Sequence, residues 1–320
     1  MKSLKYISIL LISLVLFCSE DKTVDPGDEK APGTPDNIVL TYVGNGEITL
    51  SWDANDEPDH DGYRVYRAAG DNSPGSFSLV KDSSATSFRD IGLDYNTIYY
   101  YSVSAYDIEG FESRLSAAIG GMPLNTQAPS TPSNLKAVAH NITSSYVRLV
   151  WTANSESDLS GYYIYRSEDA NFTIGQPSFI DSSTTPVYVD ENVEVNKMYY
   201  YRVTAFDKGH WESLPTGVVG DIPLPAPTLL TPADNAATSS QPSFSWDVVP
   251  YAQKYILIVM TSEVGGEIWT KALNAGTSSV NYAGNTSLAS GNTYYWKLGT
   301  ATNDPDDINS ISETRSFVIQ

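Results

Sequence analysis

The sequence predicts an all-β protein built from β-sandwiches in tandem. Three observations carry that prediction. The first is internal repetition: Trp52 to Arg67 reads WDANDEPDHDGYRVYR and Trp151 to Arg166 reads WTANSESDLSGYYIYR, with nine of sixteen positions identical. Tyr99 to Ser113 and Tyr199 to Ser213 repeat in the same way, with eight of fifteen identical. A period close to 100 residues is one sandwich domain, not one turn of a solenoid. The second is period-two alternation of large apolar residues, the mark of a strand with one buried face. The third is punctuation: 18 prolines and 22 glycines separate short β-rich runs, and no long run has helical periodicity.

The elements follow in chain order. Residues 1–17 read as a lipoprotein-type signal peptide, with Lys2 and Lys5 ahead of a short apolar run from Tyr6 to Phe17. That run is too short for a comfortable membrane span. Cys18 is the only cysteine, and it ends the apolar run as the cysteine of a bacterial lipoprotein box does. This resemblance implies a lipid on Cys18, although Phe17 stands where that box prefers a small residue. Residues 18–30 are polar and read as a flexible tether. With a single cysteine no disulfide forms within the chain, so the sandwiches must hold by packing.

Residues 31–124 form the first repeat, 128–224 the second and 225–320 the third. Ile48, Leu50 and Trp52 fall on one face of a strand, as do Val147, Leu149 and Trp151 in the second repeat and Phe244 and Trp246 in the third. Late in each repeat a second strand alternates through Tyr99, Tyr101, Val103 and Ala105, through Tyr199, Tyr201, Val203 and Ala205, and through Tyr294, Trp296 and Leu298. The opposite face of these strands is expected to be wet.

These residues resemble fibronectin type III domains. An early Trp, a Tyr-x-Val-Tyr-Arg strand after an acidic loop, and an apolar residue six positions before a later Tyr (Leu93 and Tyr99, Val193 and Tyr199, Leu288 and Tyr294) fit that family's layout. The resemblance is specific in the first two repeats and looser in the third, which fits any immunoglobulin-like sandwich. It implies a tyrosine corner at each later Tyr. It transfers the fold and not a function, since the family hosts many.

Composition narrows the function classes. The net charge of −19 opposes nucleic-acid binding, which needs clustered Lys and Arg. His60, His140 and His210 are the only histidines, and they form no metal or nucleophile motif with their neighbours. No enzyme activity and no cofactor are expected. The acidic stretch Asp56 to Gly62 begins like a calcium loop, with Glu57, Asp59 and Asp61 as candidate ligands. Ala68 stands where such a loop needs its bidentate Glu. The Glu, Asp and Gly shared by both copies read instead as turn chemistry, with the Gly at positive φ.

The candidate ligand surface is aromatic. Tyr66 and Tyr165 should face outward from one strand, with Tyr100, Tyr106, Tyr200 and Phe206 on its neighbour. Such rings either bind a sugar or peptide or simply pair across strands. Phe111 and Trp211 are expected to be packed anchors of a loop. The functional expectation is a non-catalytic protein of the cell envelope or surface that binds, adheres or spaces. The alternative is a carbohydrate-binding lipoprotein of a glycan-uptake system. Its partner is a protein or a glycan, with membrane attachment through a lipid anchor, on the outer membrane or its outer face, or else in secreted form.

Overall fold

The computed structural model describes residues 30–302 and 307–320. The leader and Cys18 therefore lie outside the described residues. All regular elements in the described residues are strands. The described residues divide into two compact units, the first ending at Leu124 and the second beginning at Asn125.

The first unit contains β1 (Val39–Gly44), β2 (Glu47–Ser51), β3 (His60–Ala69), β4 (Ser78–Ser83), β5 (Ser87–Ile91), β6 (Tyr99–Asp107) and β7 (Ile119–Gly121). They form two sheets, ordered β1-β2-β5 and β4-β3-β6-β7. The tight β1–β2 turn is Asn45-Gly46, both at positive φ, the residue pair that fits a two-residue hairpin.

Alternation places the core as the sequence reads. Ile48, Leu50 and Trp52 from one sheet meet Tyr63, Val65, Tyr101, Val103 and Ala105 from the other, all buried. The Trp52 ring stands edge-on to Tyr63 at 5.4 Å. The Tyr63 hydroxyl accepts a hydrogen bond from the Asn55 amide at 2.8 Å, so the ring fills the core while its polar tip closes the loop after β2. Tyr99 is a tyrosine corner: its hydroxyl accepts from the Asp94 amide at 3.1 Å, beside buried Leu93.

The expected wet face of β6 is not wet in its middle. Ser102 and Ser104 are buried because the chain after the β6 turn runs back along the strand. Ser113 donates its amide to the Ala105 carbonyl and accepts the Ala105 amide on Oγ, at 2.8 and 3.0 Å. A serine oxygen thus replaces a carbonyl in the ladder, and Glu112 is laid across Ser104.

The second unit opens with β8 (Ser133–Asn141), β9 (Ser145–Thr152), β10 (Leu159–Ser167), β11 (Phe179–Ser183), β12 (Val187–Asp190), β13 (Tyr199–Asp207) and β14 (Val219–Asp221). They repeat the first unit's two-sheet order, with β12-β9-β8 facing β11-β10-β13-β14. Trp151 and Tyr162 reproduce the edge-on pair at 5.0 Å, and the Tyr199 hydroxyl accepts from the Glu194 amide at 3.1 Å. In both repeats an Arg and a Tyr share one buried Asp. Asp90 accepts from Arg67 and Tyr101, and Asp190 from Arg166 and Tyr201, at 2.7–3.1 Å. Burial first, then the neighbouring carboxylate, pushes both tyrosine hydroxyls far above their usual range.

The same unit continues with β15 (Leu229–Thr231), β16 (Ala236–Thr238), β17 (Ser243–Trp246), β18 (Lys254–Ser262), β19 (Gly265–Asn274), β20 (Ser279–Asn281), β21 (Thr293–Ala301), β22 (Ser310–Ile311) and β23 (Arg315–Ile319). A separate core gathers around Phe244, Trp246, Tyr255, Trp296 and Phe317. The Tyr294 hydroxyl accepts from the Ala289 amide at 3.0 Å, so the third repeat keeps the corner.

The connector 221–225 is not a free link. β22 pairs in parallel with β8, Ser310 opposite Asn141, so strands of both repeats share one sheet. Buried Asp221 accepts the Ala139 amide, the Ile222 amide and the Thr302 hydroxyl at 2.8–3.0 Å. Buried Asn309 gives its Oδ1 to the Leu224 amide and donates Nδ2 to the Ile222 carbonyl, both at 2.8 Å. Such groups tolerate burial because nearly every lone pair and proton is used.

Candidate functional site

A concavity with aromatic walls lies on the outer face of the second repeat. It measures 470 Å³ and is lined by Tyr163, Tyr165, Gly175, Gln176, Phe179 and Glu212. Strand pleat puts Tyr163 and Tyr165 on one face of β10, since alternate residues share a face. Pairing with β11 brings Phe179 opposite Tyr165. Phe179 stands edge-on to both tyrosines, at 5.7 and 5.9 Å. On the other side Tyr163 stacks flat on Phe206 at 4.1 Å and 10°. Four rings thus form a strip across three strands.

Glu212 supplies the polar group. It bridges to Phe206 in the backbone ladder, and its Oε1 accepts the hydroxyls of Tyr165 and Thr204 at 2.5 and 2.6 Å. Burial, reinforced by that carboxylate, pushes the Tyr165 hydroxyl well above its ordinary range. Tyr165 therefore stays protonated and donating, which leaves Oε2 of the exposed Glu212 to accept from a ligand.

The first repeat has the same frame with different side chains on this face. Arg64 occupies the position of Tyr163 and Leu79 that of Phe179. The Arg64 guanidinium lies over the Tyr106 ring at 4.8 Å and pairs with both Glu112 and Asp82. Burial works to raise the Glu112 carboxyl. Hydrogen bonds from Ser104, Tyr66 and Arg64 outweigh it and hold the group below the usual carboxylate range. A cation fills here the place that rings and open space hold in the second repeat.

The aromatic residues singled out from sequence separate accordingly. β3 and β6 are neighbours, as are β10 and β13. Tyr66 is half-buried, with its hydroxyl on Glu112 at 2.6 Å. Tyr165 does not face out freely; it is buried beneath Phe179. Tyr100 and Tyr200 each lie against a glycine of the adjacent strand, Gly120 and Gly220, where a methyl group would come within 2.8 and 2.5 Å of the ring. Tyr106 and Phe206 lie in the same way over Gly62 and Gly161. These last two glycines therefore do not serve a positive φ. They are strand residues that make room for a ring, an aromatic–glycine pair of the cross-strand kind.

Other expectations are also redrawn. Phe111 and Trp211 are 43% and 49% exposed, so neither is a packed anchor. The residue that matters beside each is the Glu that follows. Glu57 is turned onto the Gly33 amide at 2.6 Å, and Glu156 caps the Ser130 amide in the same way. Of the three acids that begin like a calcium loop, Asp59 alone joins a carboxylate cluster among the described residues, and its companions are Asp107 and Glu109. Sequence reading missed Tyr163, Phe179 and Glu212 as one site. The available signal was the replacement of Arg64 by Tyr within an otherwise matching strand.

No family profile matches the chain. Exoglucanase B of Cellulomonas fimi is 26% identical over 318 residues, covering 93% of this chain and 26% of the enzyme. Chitinase A1 of Niallia circulans is 33% identical over 153 residues, 45% of this chain and 20% of the chitinase. Endoglucanase B of Cellulomonas fimi is 28% identical over 177 residues, 53% of this chain and 16% of the enzyme. The chain thus spans about a quarter or less of these relatives. Among solved structures, the FN1–FN3 domains of chicken CNTN1 match with a TM-score of 0.41 at 15% identity, over 91% of this chain and all of that one.

The repeats have a fibronectin type III-like fold. The sandwich topology, Trp-Tyr core pair and tyrosine corner described above define it within this chain.

Proposed function

We propose that the chain is a non-catalytic binding protein of three tandem sandwiches whose second repeat docks a glycan in the groove of Tyr163, Phe179 and Glu212. One observation carries the reading. Tyr163 stands where Arg64 lies in the first repeat, so the second repeat keeps half-buried Tyr163 and exposed Phe179 beside a carboxylate that has accepting capacity left. Flat rings stack against the C–H faces of a sugar, and carboxylate and amide groups accept and donate to its hydroxyls. Gln176 adds an exposed amide at the rim. The similarity to enzymes named for glucan and chitin supports the same substrate class. That similarity fits accessory modules of those enzymes, since the matched region accounts for only part of each.

The test is binding to soluble and insoluble polysaccharides, including cellulose, chitin and starch, by affinity electrophoresis and sedimentation. Phe179→Ala and Tyr163→Arg should each weaken binding by about tenfold or more, a loss of ~1.4 kcal/mol or greater. Tyr66→Phe in the first repeat should leave it unchanged. If the wild-type chain binds no glycan, or if Tyr163→Arg binds as well as wild type, the sandwiches act as spacers or protein-binding modules instead.

The same reading makes the protein exported and held at a bacterial outer membrane by a lipid on Cys18. Cys18→Ala should move it from the membrane fraction to the soluble fraction. Retention in the membrane fraction would remove the anchor from the proposal.

A further inference from the structure

We infer that the first unit carries a calcium site formed by Asp59, Asp107 and Glu109 at the turn that follows β6. One carboxylate oxygen from each residue lies within 4.8 Å of the others. Three like charges so close repel one another, and the repulsion grows as water is excluded.

Asp107 shows that the cluster is more than a set of surface acids. It is 2% exposed. Its Oδ1 accepts the amides of Glu109 and Phe111 at 3.1 and 2.8 Å, which fixes the carboxylate in place. Among the described residues its Oδ2 is buried with no hydrogen-bond partner. A buried carboxylate oxygen left in that state is costly, and a cation held between it and the two neighbouring acids removes the cost.

The second repeat supplies an internal comparison. Asp158 and Asp207 hold the positions of Asp59 and Asp107. The local backbone is the same: the Lys208 amide donates to the Asp158 carbonyl as the Ile108 amide does to Asp59, at 2.9 and 3.1 Å. Trp211 likewise donates its amide to Asp207 Oδ1 at 2.8 Å, as Phe111 does to Asp107. There, however, Gly209 replaces Glu109, and Asn125 donates its side-chain amide to Asp207 Oδ2 at 2.9 Å. One repeat answers the buried oxygen with an amide proton and drops the third acid. The other keeps the third acid and leaves the oxygen open.

Donor chemistry selects the ion. All three ligands are hard carboxylate oxygens, which suits calcium with water completing its shell. Few protein ligands imply weak affinity, in the range of about 0.1–1 mM typical of extracellular modules.

Calcium chloride titrated into the purified full chain, followed by calorimetry and by amide chemical shifts, tests the site. The expected result is one saturable ion per chain, with the Glu109 and Phe111 amides among those that move. Glu109→Gly, which copies the second repeat, and Asp59→Asn should each weaken binding by about tenfold or more, with unchanged circular dichroism. Asp158→Asn should leave the isotherm as it is. No saturation below about 10 mM calcium, or an isotherm unaltered by Glu109→Gly, overturns the assignment.

Discussion

The Asp221 carboxylate, at the end of the second repeat, accepts a hydrogen bond from the Thr302 hydroxyl of the third at 3.0 Å. The same carboxylate receives the Ala139 and Ile222 amides. Burial holds its pKa above the ordinary aspartate value despite those donors. Asp221→Ala leaves these donors without an acceptor in a dry place. It should cost about 1–3 kcal/mol in chemical denaturation, with faster hydrogen exchange at the Ala139 amide. Wild-type exchange in the variant would show that water replaces the carboxylate.

Two glycines predict different responses to the same change. A methyl group on Gly161 would meet the Ser183 carbonyl oxygen at 2.7 Å, and that contact is backbone. Gly161→Ala should therefore destabilise the second unit by about 1–3 kcal/mol. Gly217→Ala has open space around it and should stay within about 0.5 kcal/mol of wild type. Equal thermal midpoints for the two would contradict the close packing of Phe206 over β10.

Trp151→Ala removes the largest ring between the second repeat's sheets. The expected loss is about 3–5 kcal/mol. Tyr199→Phe deletes only the hydroxyl that accepts the Glu194 amide and should cost about 0.5–1.5 kcal/mol. Denaturant midpoints with unchanged slope read both. A Tyr199→Phe loss as large as that of Trp151→Ala would mean that the corner does more than close one loop.

Acid should release the loop held by Glu57. Its carboxyl is kept below the usual 4.5, first by the Gly33 amide it accepts, against a smaller opposing effect of burial. A depressed folded-state pKa stabilises the fold at pH above 4.5, and the contribution disappears as the pH falls through the depressed value. Thermal midpoints recorded from neutral pH down to acid should fall less steeply for Glu57→Gln than for wild type. Parallel curves would show that the Gly33 contact is not coupled to folding.

The core was legible because it depends on a simple periodicity. Trp52, Trp151 and Trp246, with the alternating residues of β6, β13 and β21, are all buried, and each tyrosine corner forms. The outer face was harder to read. Burial of Ser104 and Thr204 depends on a strand that returns along its neighbour through serine oxygens, which no local pattern announces. The groove was hidden because Tyr163 and Glu212 are 49 residues apart in the chain. Asp107 and Glu109 escaped notice for the opposite reason: they sit in a short turn that reads as ordinary loop acid until Asp59 is placed beside it. Gly62 and Gly161 were legible as necessary, but for the wrong cause.

Leu224 closes the second repeat by sequence, yet it is fully buried among the apolar residues of the third, together with Ile222. A recombination breakpoint drawn where the repeats appear to end would therefore pull two residues out of the neighbouring interior and leave Asn309 facing a gap. The second and third repeats therefore transfer as one piece, whereas the first repeat ends on Leu124, which is 44% exposed.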